Sequence, residues 1–210
     1  MSSYNMVDSG EMAGYSDDGP SSLHPGEMLV LASASPRRRE LLTQARIPFV
    51  CHPADIDESV VEAASPEELV QKLASLKSLA VAQELQTQQL ILGADTVVAL
   101  DSRIFGKPAD MEEAAAMLHA LSGHTHAVIT GVALRRGEQC ITRACITQVT
   151  FKVLSDKDIA YYHSLVNPLD KAGAYALQEH GDLIIESING SRTNVIGLPV
   201  EMVQELISPP

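Results

Sequence analysis

Short apolar runs alternate with helix-start signals along the first half of the chain. Residues 28–32 are all apolar and predict a buried strand. Ser35-Pro36 predicts the start of a helix, because Ser is a good N-cap and Pro suits the first helical position. The same signals predict strands at residues 47–51 and 90–94, with residues 96–100 extending or following the second, and helices from Ser65 to about Gln86 and from Asp110 to Ser122. The apolar positions of the helix from Ser65 are Leu69, Leu73, Leu76 and Ala80.

The second half of the chain contains a hairpin pattern. Residues 127–134 and 140–153 predict two strands joined around Arg136-Gly137. Strands that first alternate with helices and then form a hairpin are typical of an α/β fold, with a mixed, partly antiparallel sheet flanked by helices. Three further elements are predicted: a helix from Ser155 to about His163, a strand at residues 182–188 and a closing helix at residues 199–207.

The first 27 residues differ from the rest in composition. They contain five acidic residues and no Lys or Arg, and Pro20 and Pro25 would interrupt a helix. This composition predicts a disordered acidic tail or a remnant foreign to the natural protein. We expect residues 28–210 to form a single domain.

The charge balance restricts the partners. The chain has 27 acidic and 15 basic residues, a net charge of −12, which argues against a nucleic-acid polymer or an anionic membrane surface as partner. It has no continuous apolar stretch long enough to span a membrane, and its N-terminus lacks a secretory signal pattern. Cys51, Cys140 and Cys145 lack metal-site spacing, so we expect buried free thiols in a cytoplasmic protein.

The segment from Ser33 to Arg39, SASPRRR, is the first candidate for chemistry. It joins the end of a strand to the start of a helix, where unpaired N–H groups and a partial positive charge attract anions. Its two hydroxyls and three guanidiniums could add charge-assisted hydrogen bonds to a phosphate. The alternative is a solvated basic turn with a Ser cap.

Asp95 is the second candidate. It lies in Gly93-Ala94-Asp95-Thr96, at the end of an apolar strand, and ligands gather at the carboxyl ends of strands in open α/β sheets. A carboxylate at that place could bind a metal or act as a base. The alternative is an Asp that bonds to its own backbone in a turn.

Three other segments carry groups that could face a ligand. Lys107 is fixed between Gly106 and Pro108, and could neutralise a phosphate or lie solvated in a turn. Lys171 and Gln178 lie in DKAGAYALQ, a segment rich in small residues, and could reach one pocket or belong to a packed turn. The segment NGSRTNVIGLP, residues 189–199, could form a pocket wall or a plain turn into the last helix.

Six blocks along the chain carry a resemblance. They are LASASPRRRELL, GADTVV, GKP, LSGHTHAVITGVAL, DKAGAYALQ and NVIGLP. In this order they resemble the Maf family of nucleoside triphosphate pyrophosphatases, from about residue 28 to residue 207. The resemblance implies cleavage of a nucleoside triphosphate between its α- and β-phosphates, with a divalent cation such as Mg²⁺, Mn²⁺ or Co²⁺. It also implies a Maf/ITPase-like fold with two lobes around a cleft, and a homodimer.

The resemblance also implies roles for individual residues. Asp95 is the expected general base, and Glu58 matches an acidic position near the metal and the phosphates, so both are candidate metal ligands. The expected substrate-binding residues are Ser33, Arg37, Arg38, Glu58, Lys77, Thr96, Lys107, Lys171 and Gln178. The chain departs from the family pattern at Glu179-His180, where a Gly often follows the Gln, and at Arg192, where an aromatic is frequent.

Three positions distinguish the branches of the family. Arg37, Thr96 and Gln178 resemble the branch that cleaves dTTP and UTP, whereas the 7-methylguanosine triphosphate branch tends to carry a bulky aromatic, Gln and Glu there. The neutral amide of Gln178 can both donate and accept, as the O4/N3–H edge of uracil or thymine requires. We therefore expect dTTP and UTP as preferred substrates, in a role such as nucleotide-pool cleansing.

Two other functions remain open. One is a 7-methyl-GTP pyrophosphatase, and the other is a non-catalytic nucleotide-binding regulator of septation. The basic residues suit a catalyst and a sensor equally, whereas the carboxylates of Asp95 and Glu58 favour the catalyst.

Overall fold

The structure, a computed structural model, describes residues 22–208. Within them, seven strands form one sheet: β1 (Leu29–Leu31), β2 (Phe49–Cys51), β3 (Ile91–Leu100), β4 (Arg103–Phe105), β5 (Thr125–Arg136), β6 (Gln139–Phe151) and β7 (Ile185–Asn189). The strands lie in the order β2-β1-β3-β5-β6-β7, and β4 pairs with β3. β1 is parallel to β2 and β3, whereas the other pairs are antiparallel. This mixed sheet confirms the predicted fold class.

Six α-helices accompany the sheet in the described part of the chain: α1 (Pro36–Gln44), α2 (Pro66–Leu85), α3 (Met111–Leu121), α4 (Asp156–Leu165), α5 (Arg192–Ile196) and α6 (Val200–Ile207). Four predicted helix starts are confirmed, since each capping side chain accepts a hydrogen bond from the backbone N–H three residues on; the caps are Ser35, Ser65, Asp110 and Ser155. No helix within residues 22–208 has both the length and the apolar character needed to cross a membrane.

Some elements differ from the sequence prediction. The short β4 and α5 were not predicted, and β7 begins at Ile185 because residues 181–183 form a turn of 3₁₀-helix. The two runs at residues 90–94 and 96–100 form one continuous strand, β3. The polar residues Asp95 and Thr96 interrupt the apolar pattern without interrupting the backbone pairing with β5.

Buried apolar side chains form two large clusters. One cluster packs α3 and α4 against the sheet and includes Phe105, Leu118, Phe151 and Tyr162. The other packs α1 and α6 against β1, β3 and β5. The two clusters correspond to the two lobes expected from the resemblance. The cleft between them is lined by Val98 and Tyr175 of the first cluster and by Ile196, which packs against the second.

β3 changes its neighbour along its length. β1 pairs with its first part, at Ile91 and Leu92, and β4 pairs with its last part, from Val98 to Leu100. Between these two partners, residues 93–97 pair with β5 on one side only. Asp95 and Thr96 lie in this gap, just beyond the carboxyl end of β1, so the cleft opens where the sheet lacks a strand.

Two glycines allow α2 to lie directly against the sheet. A Cβ at Gly93 would overlap the carbonyl oxygen of Ala74, and a Cβ at Gly131 would overlap that of Val70. Both positions therefore require glycine for a close approach of the two backbones. This approach fixes α2 over the middle of β3 and β5.

The predicted apolar positions of α2 are only partly its inner face. Leu73 is buried as expected, but Leu76 is 40% exposed. The helix instead buries the small side chains of Ala74 and Ser78, because the glycines of the sheet leave room for backbone there and none for a large side chain.

The cysteines are free thiols, but the prediction that they are buried is wrong. Cys51 is exposed, and Cys140 and Cys145 are partly buried. β2 is an edge strand, and among the described residues β7 covers β6 only from Gln148 onward, so these strands keep solvent access.

Residues 22–27, predicted as part of the tail, contact the body of the protein. Both carboxylate oxygens of Glu27 accept hydrogen bonds from Arg136, at 2.8 and 2.9 Å, and one also accepts from the backbone N–H of Leu90. The Leu23 N–H donates to the carbonyl of Ile207. The attached part of the chain thus begins before the predicted boundary, and the rest of the predicted tail, residues 1–21, lies outside the described residues.

The Glu27 ion pair generates a pH-dependent prediction. Burial opposes ionisation of Glu27, but the hydrogen bonds from Arg136, His24 and Leu90 outweigh it and lower its pKa from 4.5 to about 2. A depressed carboxyl pKa contributes stability that is fully present above about pH 4.5 and is lost as the pH falls towards 2. Glu27→Gln should therefore lower the free energy of unfolding at pH 7 by about 1–3 kcal/mol, and by less at pH 3.

Thermal unfolding at both pH values checks this, with Glu138→Gln, an exposed Glu in the β5–β6 turn, as the matched control. A Glu27→Gln deficit of the same size at pH 7 and pH 3 would contradict the assigned ion pair.

Candidate active site

A cleft of about 800 Å³ lies between the two clusters, and every site residue predicted from the sequence lines it. A volume of this order suits a ligand of nucleotide size. The predicted residues come from widely separated parts of the chain: Ser33, Arg37, Arg38, Glu58, Lys77, Asp95, Thr96, Lys107, Lys171 and Gln178. The structure therefore brings together residues from four of the six sequence blocks with Glu58 and Lys77, which lie outside the blocks.

Lys77 lies between the two carboxylates of the cleft. Its Nζ is 2.6 Å from Asp95 Oδ1 and 2.9 Å from Glu58 Oε1. The close contact of α2 with Gly93 brings Lys77 beside Asp95, two residues further along β3. Oδ2 of Asp95 takes no hydrogen bond from residues 22–208, so it is available to a ligand or a water molecule.

Arg38 fills the gap in the pairing of β3. Its guanidinium donates to the carbonyls of Ala94 and Gly197, each at 2.9 Å, and to the hydroxyls of Ser33 and Thr96, each at 3.1 Å. These bonds use four of the five N–H groups of the side chain. Arg38 is only 9% exposed, so most of it belongs to the floor of the cleft.

Thr96 is bound into the same network. Its hydroxyl accepts from Arg38 and shares a hydrogen bond of 2.9 Å with the hydroxyl of Thr130. Asn194, fully buried, donates through Nδ2 to the carbonyl of Val128 and to the Thr147 hydroxyl. Residues 195–197 of the block NVIGLP line the cleft, so the block forms a wall as the sequence suggested. Asn194 and Thr130, which the sequence did not assign to the site, hold this wall from behind.

Arg37 and Lys171 are joined through Asp170. Nη1 of Arg37 donates to Asp170 Oδ2 at 2.7 Å, and Nη2 donates to the Asp170 carbonyl at 3.1 Å. Nζ of Lys171 donates to Asp170 Oδ1 at 2.8 Å and to the Asn167 carbonyl at 2.8 Å, and lies 3.2 Å from Glu179 Oε1. Asp170 is therefore a site residue that sequence reasoning missed, although it precedes Lys171 directly.

Lys107 and Gln178 line the cleft, and their side chains do not bind to other described residues. Within residues 22–208 neither side chain forms a hydrogen bond or an ion pair with another residue. The backbone N–H of Gly173 donates to the carbonyl of Gly106 at 3.0 Å, which joins the segments that carry Lys107 and Gln178. These two side chains are thus free to bind a ligand.

Tyr175 is the aromatic residue in the wall of the cleft. Its hydroxyl lies 2.8 Å from Nε2 of His126, and its ring packs edge-on against Phe151. Burial lowers the pKa of His126 to about 4, so the imidazole is neutral at pH 7. His126 belongs to the block LSGHTHAVITGVAL, which the sequence reasoning left without a role.

The carboxylates of Glu58 and Asp95 fit a hard divalent cation. Both offer oxygen ligands, and both reach the same Lys77 ammonium, so a cation could lie between them. Among the described residues, no group of three or more His, Cys, Asp and Glu side chains could hold a metal ion. Mg²⁺ is commonly held by one or two carboxylates together with substrate phosphates and water, and Glu58 and Asp95 offer two carboxylates.

Comparisons with known proteins agree with the blocks and the site. The family model of the Maf-like proteins matches residues 28–209. The dTTP/UTP pyrophosphatase of Moorella thermoacetica is 49% identical over 183 residues, 86% of this chain and 93% of the relative. Those of Akkermansia muciniphila (46% over 180 residues, 86% and 95% of the two chains) and Symbiobacterium thermophilum (45% over 182 residues, 87% and 93%) are similar.

Among solved structures, the Staphylococcus aureus Ham1 protein covers 85% of this chain and 97% of its own, with a TM-score of 0.46 and 15% identity. A likeness of that degree says nothing about the site. The family model and the relatives, in contrast, extend over nearly all of the residues that form the cleft. The chain belongs to the family of Maf-like proteins.

Proposed function

We propose that the protein hydrolyses nucleoside triphosphates, with preference for dTTP and UTP, to a nucleoside monophosphate and pyrophosphate. The observation that carries this proposal is the cleft itself, in which one carboxylate with a free oxygen, Asp95, lies among several cations. The relatives named dTTP/UTP pyrophosphatase support the substrate class. Arg37, Thr96 and Gln178, the residues matching that branch, all line the cleft.

Asp95 acts as the general base. Its Oδ1 accepts a hydrogen bond from Lys77, which orients the carboxylate, and its Oδ2 is free to accept a proton from the attacking water. The electron pair of that water attacks the α-phosphorus, and pyrophosphate leaves with the electrons of the broken bond.

Glu58 and Asp95 would hold the divalent cation, Mg²⁺, Mn²⁺ or Co²⁺. When bound, the cation would neutralise phosphate oxygens and reduce the charge that the protein must compensate. The chain itself supplies Lys107 and Arg37 for the remaining phosphate charge.

The nucleobase is recognised by the amide of Gln178. The Gln178 amide makes no hydrogen bond within residues 22–208, and it offers an N–H donor and a carbonyl acceptor to the O4/N3–H edge of thymine or uracil. The amino group and bare N3 of cytosine reverse that pattern, and so we expect CTP to be a weaker substrate. Thr96 is bound to Arg38 and Thr130, so it influences specificity by fixing the floor of the cleft.

The protein acts on free nucleotides in the cytoplasm, as a homodimer. Its charge of −12 disfavours anionic polymers and surfaces, and the cations of the cleft are confined to a local pocket. Two functions compete with the proposal: 7-methyl-GTP pyrophosphatase, and a non-catalytic nucleotide-binding regulator of septation.

A substrate panel with pyrophosphate detection tests the proposed function. We expect kcat/KM to be highest for dTTP and UTP, lower for CTP and lowest for 7-methyl-GTP, in the presence of Mg²⁺. Faster cleavage of 7-methyl-GTP than of dTTP would assign the protein to the other branch. Binding of dTTP without release of pyrophosphate would favour the regulator.

Replacing the proposed base tests the mechanism. Asp95→Asn keeps the size of the side chain but removes its basicity, so kcat for dTTP should fall by about 10²-fold or more. The matched control is Asp182→Asn, an exposed Asp outside the cleft, which should retain wild-type kcat. Near-normal turnover of Asp95→Asn at saturating Mg²⁺ would reject the role.

Two cations of the cleft should respond differently to removal. Lys107→Ala should lower kcat/KM by roughly 30- to 1000-fold, as for a lost charged contact in the transition state, without changing the Tm. Arg38→Ala should also lower the free energy of unfolding, by about 1–3 kcal/mol, since it leaves buried carbonyls unpaired.

Steady-state kinetics and thermal unfolding measure both effects, and Lys157→Ala, an exposed Lys on α4, is the control. An unaltered kcat/KM in Lys107→Ala, or an unaltered Tm in Arg38→Ala, would show that the residue has been given the wrong role.

A further inference from the structure

Lys171 is a cation of the cleft that is already paired with other residues of the chain, through two hydrogen bonds and an ion pair. Its side chain is only 5% exposed. An ammonium has three N–H groups, and three acceptors surround it: the Asn167 carbonyl at 2.8 Å, Asp170 Oδ1 at 2.8 Å and Glu179 Oε1 at 3.2 Å. A phosphate could bind to Lys171 only by displacing one of these acceptors. This arrangement suits a group that holds other residues in place.

The first of those residues is Arg37. Asp170 accepts from Lys171 through Oδ1 and from Arg37 through Oδ2 and through its own carbonyl. The Arg37 guanidinium, which comes from the first turn of α1, is thus fixed at two of its nitrogens by a residue 133 positions away in the sequence. The Asp170 carboxylate is in turn fixed by Lys171, because one carboxylate serves both cations.

The second residue is Gln178. It directly precedes Glu179, the other carboxylate paired with Lys171. The Gln178 side chain is free, so its reach into the cleft depends on where the backbone at residues 178 and 179 lies. The contact between Lys171 and Glu179 restrains that backbone. The two carboxylates are half-exposed, at 50% and 45%, and Lys171 is the buried side chain of residues 22–208 that pairs with both.

We propose that Lys171 is a positioning residue for recognition of the nucleobase, which sets Arg37 and Gln178 relative to each other through Asp170 and Glu179. Lys171 itself does not bind the phosphates. This inference rests on the proposed function, because it concerns the selection of dTTP and UTP in the same cleft. Selection by a polar contact requires that donor and acceptor be held close to their productive geometry, and a buried ammonium with two hydrogen bonds and an ion pair supplies that restraint.

The test separates base recognition from phosphate binding. The variants are Lys171→Met, Asp170→Asn and Glu179→Gln, with Asp182→Asn as the control. The probes are the non-hydrolysable α,β-methylene analogues of dTTP and CTP, and tripolyphosphate, which has the phosphates without a base. Calorimetry with Mg²⁺ gives the Kd of each probe, and kcat/KM for dTTP and CTP is measured in parallel.

We expect the preference for the dTTP analogue over the CTP analogue to fall at least about fivefold in Lys171→Met and Asp170→Asn. The Kd of tripolyphosphate should stay within about twofold of the wild-type value in Glu179→Gln, because Glu179 contacts Lys171 and not Arg37. Because Asp170 and Glu179 are half-exposed, their amide variants should fold even if Lys171→Met does not. The control should match the wild type for all three probes.

The opposite results overturn the inference. An equal loss of affinity for all three probes would make Lys171 a phosphate ligand. A wild-type protein that prefers dTTP, with Asp170→Asn and Glu179→Gln variants that keep the same preference, would refute the positioning role and leave the proposed function intact. A wild-type protein that binds the dTTP and CTP analogues equally would refute both.

Discussion

The backbone of β3 between residues 93 and 97 has a strand on one side only, and the site depends on how the chain satisfies the other side. An unpaired buried carbonyl costs about as much as a lost hydrogen bond, so a sheet can open into a cleft only if another group takes the place of the strand. Arg38 does this for Ala94, and with the same guanidinium it holds Ser33, Thr96 and Gly197. The gap therefore exposes Asp95 to the cleft while its neighbours stay bonded.

A second constraint is the charge of the cleft before any ligand binds. Lys77 is paired with Asp95 and Glu58, and Arg37 and Lys171 are paired with Asp170, so most cations of the site already have a carboxylate. Grouping these cations without counter-ions would be unfavourable, because like charges at close range repel and partly buried charges lose hydration. A triphosphate must compete with these carboxylates, which explains physically why a nucleotide site in an acidic protein would use a divalent cation.

The sequence was sufficient to predict most of the helices and strands. Ser and Asp caps marked four helix starts, and apolar runs marked the long strands, because both signals are local. It was insufficient where partners are remote. The glycines at positions 93 and 131 decide which face of α2 is buried, and no periodicity within α2 reveals them. In the sequence Glu27 is one of several carboxylates of the predicted tail. Its ion pair with Arg136, at the end of β5, forms only in the folded chain and could not be predicted from local pattern.

The site shows the same division between local and remote information. The resemblance of the sequence blocks predicted residues that line the cleft. It did not predict which partner each Lys or Arg side chain binds. Arg37 and Arg38 are adjacent in one basic run, yet their partners differ. Arg38 donates most of its hydrogen bonds to other residues of the chain, whereas Arg37 is held from across the cleft by Asp170. Helical geometry separates neighbours by about 100°, so adjacent Arg residues at a helix start cannot share one environment.

Burial thus sorts the cations of the cleft into two kinds. Arg38 and Lys171 are nearly inaccessible and have most of their donors bonded to the chain, so exchanging these bonds for a phosphate gains little. Lys107 has no such bonds among the described residues, so a contact with a phosphate replaces only water. The buried cations fix the shape of the cleft, and the accessible cations supply charge to the ligand. Both kinds include Arg and Lys, so the amino-acid type alone does not distinguish the two roles.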